Sequence, residues 1–173
     1  SYGATLSYTE PLGGRKYLEA NYNFRTNNND VDRDVYDENG GAPVYNDQLS
    51  NEYTSNYIYN RPGLNFRMNR QKYNFVAGFS YQSTNLKGDL ISRNATIDRT
   101  FENVLPVVRF NYDFSNFKHL RLEYETSMQE PTIQQLQPVV DNSDPLNLYV
   151  GNPALKPAYS HSGSLNFTTF DPT

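Results

Sequence analysis

The sequence predicts an all-β fold, an antiparallel up-and-down transmembrane β-barrel segment of about seven strands with short turns at one end and long loops at the other. Three observations predict it. The 173 residues are only 36% hydrophobic yet 14% aromatic, through 15 Tyr and 10 Phe, a composition too polar for a dense aliphatic core and favourable to strands. Apolar and polar residues alternate with a period of two in segment after segment, the signature of a strand with one dry and one wet face. The connections between those segments alternate as well, short then long. A spanning helix needs about 20 consecutive apolar residues, and no such run exists. A spanning strand needs about 10 residues with only every second one apolar, so a chain that is polar on average still crosses a bilayer as a barrel.

The first strand, near 2 to 10, runs into Pro11-Leu12-Gly13-Gly14-Arg15, a short turn. Over 16 to 25, Leu18, Ala20, Tyr22 and Phe24 oppose Glu19, Asn21, Asn23 and Arg25. A long polar connection, 27 to 50, follows. Within it Asp30, Asp32 and Asp34, with Asp37 and Glu38 nearby, have the alternate-carboxylate spacing that wraps calcium. The stretch departs from an EF-hand loop, lacking Gly at the sixth place and Glu at the twelfth, and a solvated acidic loop is the favoured reading. The expected metal ligands, if calcium binds, are Asp30, Asp32, Asp34 and Asp37; no other cofactor is indicated.

The strand near 51 to 68 carries Leu64, Phe66 and Met68 against Asn65, Arg67 and Asn69. After a tight turn at 69 to 72, Tyr73, Phe75, Ala77, Phe79 and Tyr81 continue the apolar set. A second long loop is expected over 87 to 100, where Asn94-Ala95-Thr96 forms a chance glycosylation sequon. Val108, Phe110, Tyr112 and Phe114 then oppose Arg109, Asn111 and Asp113, a turn falls at 115 to 118, and Leu120, Leu122 and Tyr124 oppose Arg121, Glu123 and Glu125. The third long loop, 131 to 157, includes Asp141-Asn142-Ser143-Asp144-Pro145, read as Asx-type turns. The last strand spans about 158 to 170. Tyr8, Tyr53, Tyr57, Tyr59, Tyr73, Tyr81 and Tyr159 are expected at strand ends, in the girdles where barrels meet lipid headgroups.

The segment Tyr124 to Tyr159, YETSMQEPTIQQLQPVVDNSDPLNLYVGNPALKPAY, resembles a recurrent feature of the barrel half of TonB-dependent outer-membrane receptors. Gly151-Asn152-Pro153-Ala154-Leu155-Lys156-Pro157 matches that family's "GNP-x-LKPE" return from loop to strand, with Ala158 where Glu is usual. The hairpin from Ser55 to Gln82 is similar to the same family. The resemblance implies an outer-membrane location in a Gram-negative bacterium and transport rather than catalysis. It also implies a barrel closed by a plug, energised through TonB, with substrate bound in the outer loops. Residues 1–173 are then part of a larger barrel, with lipid, the rest of the barrel and plug, TonB, and a small-molecule, glycan or peptide substrate such as an iron chelate as partners. Tyr36, Tyr45, Tyr149 and Asn152, in the outer loops, are the candidate ligand contacts. Other readings of the alternation are a non-transporting structural or adhesive barrel and a soluble carbohydrate-binding sandwich.

Several classes are excluded or disfavoured. Dispersed charges with a net of -4 argue against nucleic acid. The absence of Cys removes disulfides and thiol catalysis. With two histidines, His119 and His161, no phosphate loop and no HExxH motif, the chain is not expected to be an enzyme.

Overall fold

The computed structural model describes residues 1–38, 40–46, 50–91, 95–137, 140–141 and 149–170. Its main element is an antiparallel sheet of seven strands, β1 (Tyr2–Gly13), β2 (Lys16–Arg33), β5 (Asn51–Asn69), β6 (Tyr73–Leu90), β7 (Ala95–Ser115), β8 (Lys118–Gln129) and β11 (Ala158–Thr169), paired in chain order. Between them lie the short hairpin strands β3 (Tyr36–Asp37) and β4 (Val44–Tyr45), helix α1 (Ile133–Leu136), and the pair β9 (Val140–Asp141) and β10 (Tyr149–Val150). The sheet is therefore up-and-down, as the alternation predicts. Among the described residues no helix is long and apolar enough to cross a membrane.

Short turns close one end. Gly14 and Arg15 both have φ of 58°, the two positive values a type I′ hairpin requires; Pro11 to Gly13, expected in the turn, continue β1 instead. Arg70 N–H donates to Tyr73 O at 2.8 Å across the second turn, and Asn116 and Phe117 form the third.

The two faces differ sharply in chemistry. Met68, Phe75, Phe110, Leu122 and Leu165 are successive register partners across five strands. One residue away, the row reads Arg67, Val76, Arg109, Glu123 and Ser164. Polar-face residues from β2 through β8 line a single depression of about 270 Å³, so the polar face is concave and the apolar face convex. Leu6, Phe79, Val104, Leu165 and Phe167 on the convex face are all at least half exposed. Soluble monomers rarely leave so extended an apolar surface bare.

At about 3.3 Å per residue a strand the length of β7 is about 70 Å long, whereas a lipid band about 25 Å tall, crossed at about 45°, takes only about 11 residues. The outer half of the longest strands must therefore stand clear of lipid, and their side chains show it. Along β6 the convex face is Tyr73, Phe75, Ala77, Phe79 and Tyr81, then Ser83, Asn85, Lys87 and Asp89. The concave face changes the opposite way, to Leu86 and Leu90, joined by Ile97, Phe101 and Leu105 of β7 and Tyr53 of β5. The register of β6 with β7 runs without a shift from Tyr73–Tyr112 to Leu90–Ala95, so no bulge causes the swap; the surroundings change, and the sequence follows. This corrects the expected 87-to-100 loop, which is mostly strand. It also moves three tyrosines: Tyr53, Tyr57 and Tyr59 sit on the concave face, and only the others expected in girdles lie on the convex side.

The apolar concave core is roofed by the connection after β8. Ile133 and Leu136 of α1, buried to 8% and 0% exposure, pack into it with Met128 and Leu155. Thr132 caps the helix reciprocally, its hydroxyl accepting from Gln135 N–H while Gln135 Oε1 accepts from Thr132 N–H. A Cβ on Gly88 would lie 2.0 Å from Ile133 Cδ1, and one on Gly151 would lie 2.3 Å from Gln137 O and 2.6 Å from Gln134 O. At Gly88 a side chain would force only the Ile133 tip to move, whereas at Gly151 backbone carbonyls face the added carbon, and only glycine lets the returning chain lie this close to the helix.

Candidate functional site: the concave wall

Within the height of the convex apolar band, the concave face carries charge. Arg67 pairs with Glu19 at 3.0 Å, Arg109 with Glu125 at 3.6 Å and Arg121 with Glu123 at 2.9 Å. Facing lipid, an arginine at that depth would cost about 2–4 kcal/mol; facing an aqueous lumen it costs little. Exposed ion pairs of this kind add only about 0–1 kcal/mol each, so their effect is on the lining, not on stability. Asn74, Asn111, Arg121 and Asn166 form a second polar row across four strands.

Asparagines fill the wall between the charges. Asn21 and Asn65 lie over glycines: a Cβ on Gly63 would meet Asn21 Oδ1 at 2.6 Å, and one on Gly78 would meet Asn65 Oδ1 at 2.1 Å. The missing side chains give both amides a shelf against the backbone. With Asn23, Arg61 and Ser80 they line the depression described above.

Above the band, Glu130 ties the roof to the wall. One carboxylate oxygen accepts from Gln82 Nε2 and Thr84 Oγ1, both at 2.6 Å, and Thr84 is fully buried. Burial raises the Tyr57 hydroxyl above its ordinary pKa, the negative charge of Glu130 adds to the rise, and Thr84 and Arg25 oppose it. At the short-turn end His119 Nδ1 lies 2.6 Å from Asp113 Oδ1 and Nε2 lies 3.3 Å from Asn116 O. Two acceptors on two ring nitrogens favour the imidazolium, and the hydrogen bond to Asp113 leads in raising the His119 pKa. His161 faces the other way, stacked against Tyr124 on the convex side at 6.1 Å.

The structure distributes the sequence-derived candidates over the outer loops. Tyr36 and Tyr45 meet edge to face, 5.6 Å apart, on the exposed β3–β4 hairpin. Asn152 serves the loop return: its N–H donates to Gln135 O at 2.7 Å and its Oδ1 accepts from Ala154 N–H at 2.9 Å. The Tyr149 backbone pairs with Asp141; its side chain lies outside the described residues, as do Asn94 of the sequon and residues 142–148 of the expected Asx turns. Asp30 and Asp32 sit on the convex parity of β2 opposite Thr54 and Glu52, Asp34 is exposed beyond β2, and Asp37 accepts from Asn46 Nδ2 at 2.7 Å. Among the described residues no three His, Cys, Asp or Glu side chains are grouped to hold a metal.

Arg25, Arg61, Gln82, Thr84 and Glu130 went unselected in the sequence. For the four on β2, β5 and β6 the common signal is parity, since residues that share the lumen face could have been paired row by row; Glu130, beyond β8, carries no such signal.

Residues 1–172 match the family model described as "Outer membrane protein beta-barrel family". No curated protein and no solved structure matches the chain.

Proposed function

We propose an uptake role for this chain, which belongs to the outer membrane protein beta-barrel family and so resides in the Gram-negative outer membrane. In this reading it forms part of the wall of a TonB-dependent receptor that binds a small molecule, glycan or peptide at its outer loops and passes it inward. The observation that carries the reading is the connection after β8. Its GNPALKP return, the phrase that resembles TonB-dependent receptors, is packed by Gly151 against the backbone of α1, which is itself docked on the concave wall. Held over the lumen in this way, α1 presents its exposed Gln134 and Gln135 to an incoming solute.

The lining supports transport as well. Paired charges and amides at membrane height suit a water-filled passage, and the exposed Tyr36–Tyr45 pair offers aromatic surface at the outside. On this reading β1 and β11, each partnered on one edge only among the described residues, pair with further strands of the same barrel. The chain carries no catalytic step. Uptake of labelled iron chelates, glycans and peptides by cells making the full-length protein, with and without TonB, tests the proposal. TonB-dependent uptake of one class is expected; binding or adhesion with no TonB-dependent entry of any class would overturn it in favour of a structural barrel.

A further inference from the structure

Among the described concave-face arginines three are neutralised by a carboxylate, Arg99 lies over the ring of Phe101 at 6.0 Å, and Arg25 and Arg61 have neither partner. Arg67, Arg109 and Arg121 each hold a glutamate. No carboxylate among the described residues pairs with Arg25 or Arg61. The remaining acid of that stretch, Glu130, already accepts from Gln82 and Thr84.

Arg25 and Arg61 are neighbours. Asn23 faces Arg61 and Arg25 faces Tyr59 in the β2–β5 register, which makes Arg25 and Arg61 a diagonal pair on one face, with a backbone spacing of about 7–8 Å. Like charges so placed repel unless something lies between them. Arg61, with Asn23, stands at the edge of the depression of about 270 Å³, whose two carboxylates, Glu19 and Glu125, are already paired with Arg67 and Arg109. Guanidinium groups donate in a fork that matches an oxyanion, and amides add further donors.

We infer that Arg25 and Arg61, with the amide of Asn23 beside them both, form a binding site for an anionic group, a carboxylate or a phosphate, borne by the solute that passes the wall. The inference rests on the uptake reading for the identity of the ligand, but not for the existence of the site. The site lies below the roofing loop, so a solute released from the outer loops meets it on the way in. Because Arg67 and Arg109 keep their own glutamates, the site is local rather than a general basic surface.

The test uses the full-length protein in detergent micelles with ¹⁵N-labelled arginine, reading the Nε–Hε signals, with Arg25→Lys and Arg61→Lys to assign them. Inorganic phosphate and, separately, acetate are titrated at constant ionic strength against chloride. Saturable shifts at Arg25 and Arg61 are expected, with the Arg67, Arg109 and Arg121 signals unmoved. Arg61→Gln should weaken the response at Arg25 at least tenfold, whereas Arg61→Lys, which keeps the charge, should stay within threefold; a β-sheet circular dichroism spectrum like the parent's confirms that both fold. Tighter phosphate binding assigns a phosphoryl ligand, and acetate binding as tight or tighter assigns a carboxylate. Shifts of equal size at all five arginines, a response unchanged by Arg61→Gln, or no saturable shift with either anion because another part of the protein already fills the site, would overturn the inference. Binding is read without an energised membrane, so its failure leaves TonB-dependent uptake standing, and failure of uptake leaves the site standing.

Discussion

Replacing Leu136 by Ala tests whether the connection after β8 is fastened to the wall by its apolar contacts. Leu136 has no exposed surface and packs with Ile133, Leu86, Leu90 and Met128 in one cluster. Truncation removes three carbons, about 2.4 kcal/mol of transfer free energy at about 0.8 kcal/mol each, and the residual cavity brings the total into the about 2–5 kcal/mol range seen for buried Leu→Ala changes. The loss falls on the docking of α1 and not on the strands, whose ladders contain no bond to Leu136. At about 1.4 kcal/mol per decade, protection of the docked segment should drop from about 30-fold to several thousandfold. Hydrogen exchange in detergent micelles reads this at Leu136 N–H, which donates to Thr132 O, at Gln137 N–H, which donates to Ile133 O, and at Asn152 N–H, which donates to Gln135 O. Amides of β6 and β7 within the apolar band should keep their rates. Unchanged protection at 136, 137 and 152, or an equal loss throughout the sheet, would show that Leu136 does not fasten the connection.

Three further outcomes are expected. Gly151→Ala sets a methyl against three carbonyl oxygens, those of Gln137, Gln134 and Gln135, and should release the same loop, read as new protease cleavage within 131 to 157 while the β-sheet circular dichroism is retained. His119 should titrate above its ordinary value of 6.5; a raised folded-state pKa means that its contribution to stability is present below 6.5 and is lost as pH rises through the folded value. Asp113→Asn should bring the histidine back toward 6.5 in an NMR titration, and an unchanged pKa would remove Asp113 as the cause. Calcium at millimolar concentration should leave thermal melting as it is in chelator, since Asp30, Asp32, Asp34 and Asp37 are not grouped; a calcium-dependent rise abolished by Asp32→Asn would restore the metal site.

Much of the fold was legible because a strand writes its environment in alternate residues. Phe75, Phe79, Phe110 and Leu122 fell on one parity and Arg109, Glu123 and Arg121 on the other, and both the strands and their faces followed. The reading failed where the parity reversed. Leu86, Leu90, Ile97 and Phe101 are out of phase with Phe79 and Val108, and a broken period looks like a loop, although the ladder continues without a shift. Their partners, Ile133 and Leu136, are more than 30 positions away in the chain, and no local pattern announces that a loop will fold back to cover them. The same distance hid Glu130 and its bonds to Gln82 and Thr84. The GNPALKP return was recognisable as a phrase, but the reason for its glycine, contact with the carbonyls of α1, needed three dimensions. The free arginines were visible singly; that Arg25 and Arg61 are neighbours follows only from the β2–β5 register.

The strands cross a bilayer with the convex face in lipid, and the crossing ends where the faces exchange polarity. Residues 1–173 contain no cysteine, so in the full-length protein, with any cysteine elsewhere replaced, single cysteines along β6 can be spin-labelled and probed in bilayers with oxygen and a water-soluble nickel chelate. Oxygen should dominate at 73, 75, 77, 79 and 81 and the chelate at 74, 78 and 80, and beyond Tyr81 the convex positions 83, 85, 87 and 89 should turn to the chelate. Oxygen dominance continuing to position 89, or no difference between odd and even positions over 73 to 81, would contradict that placement.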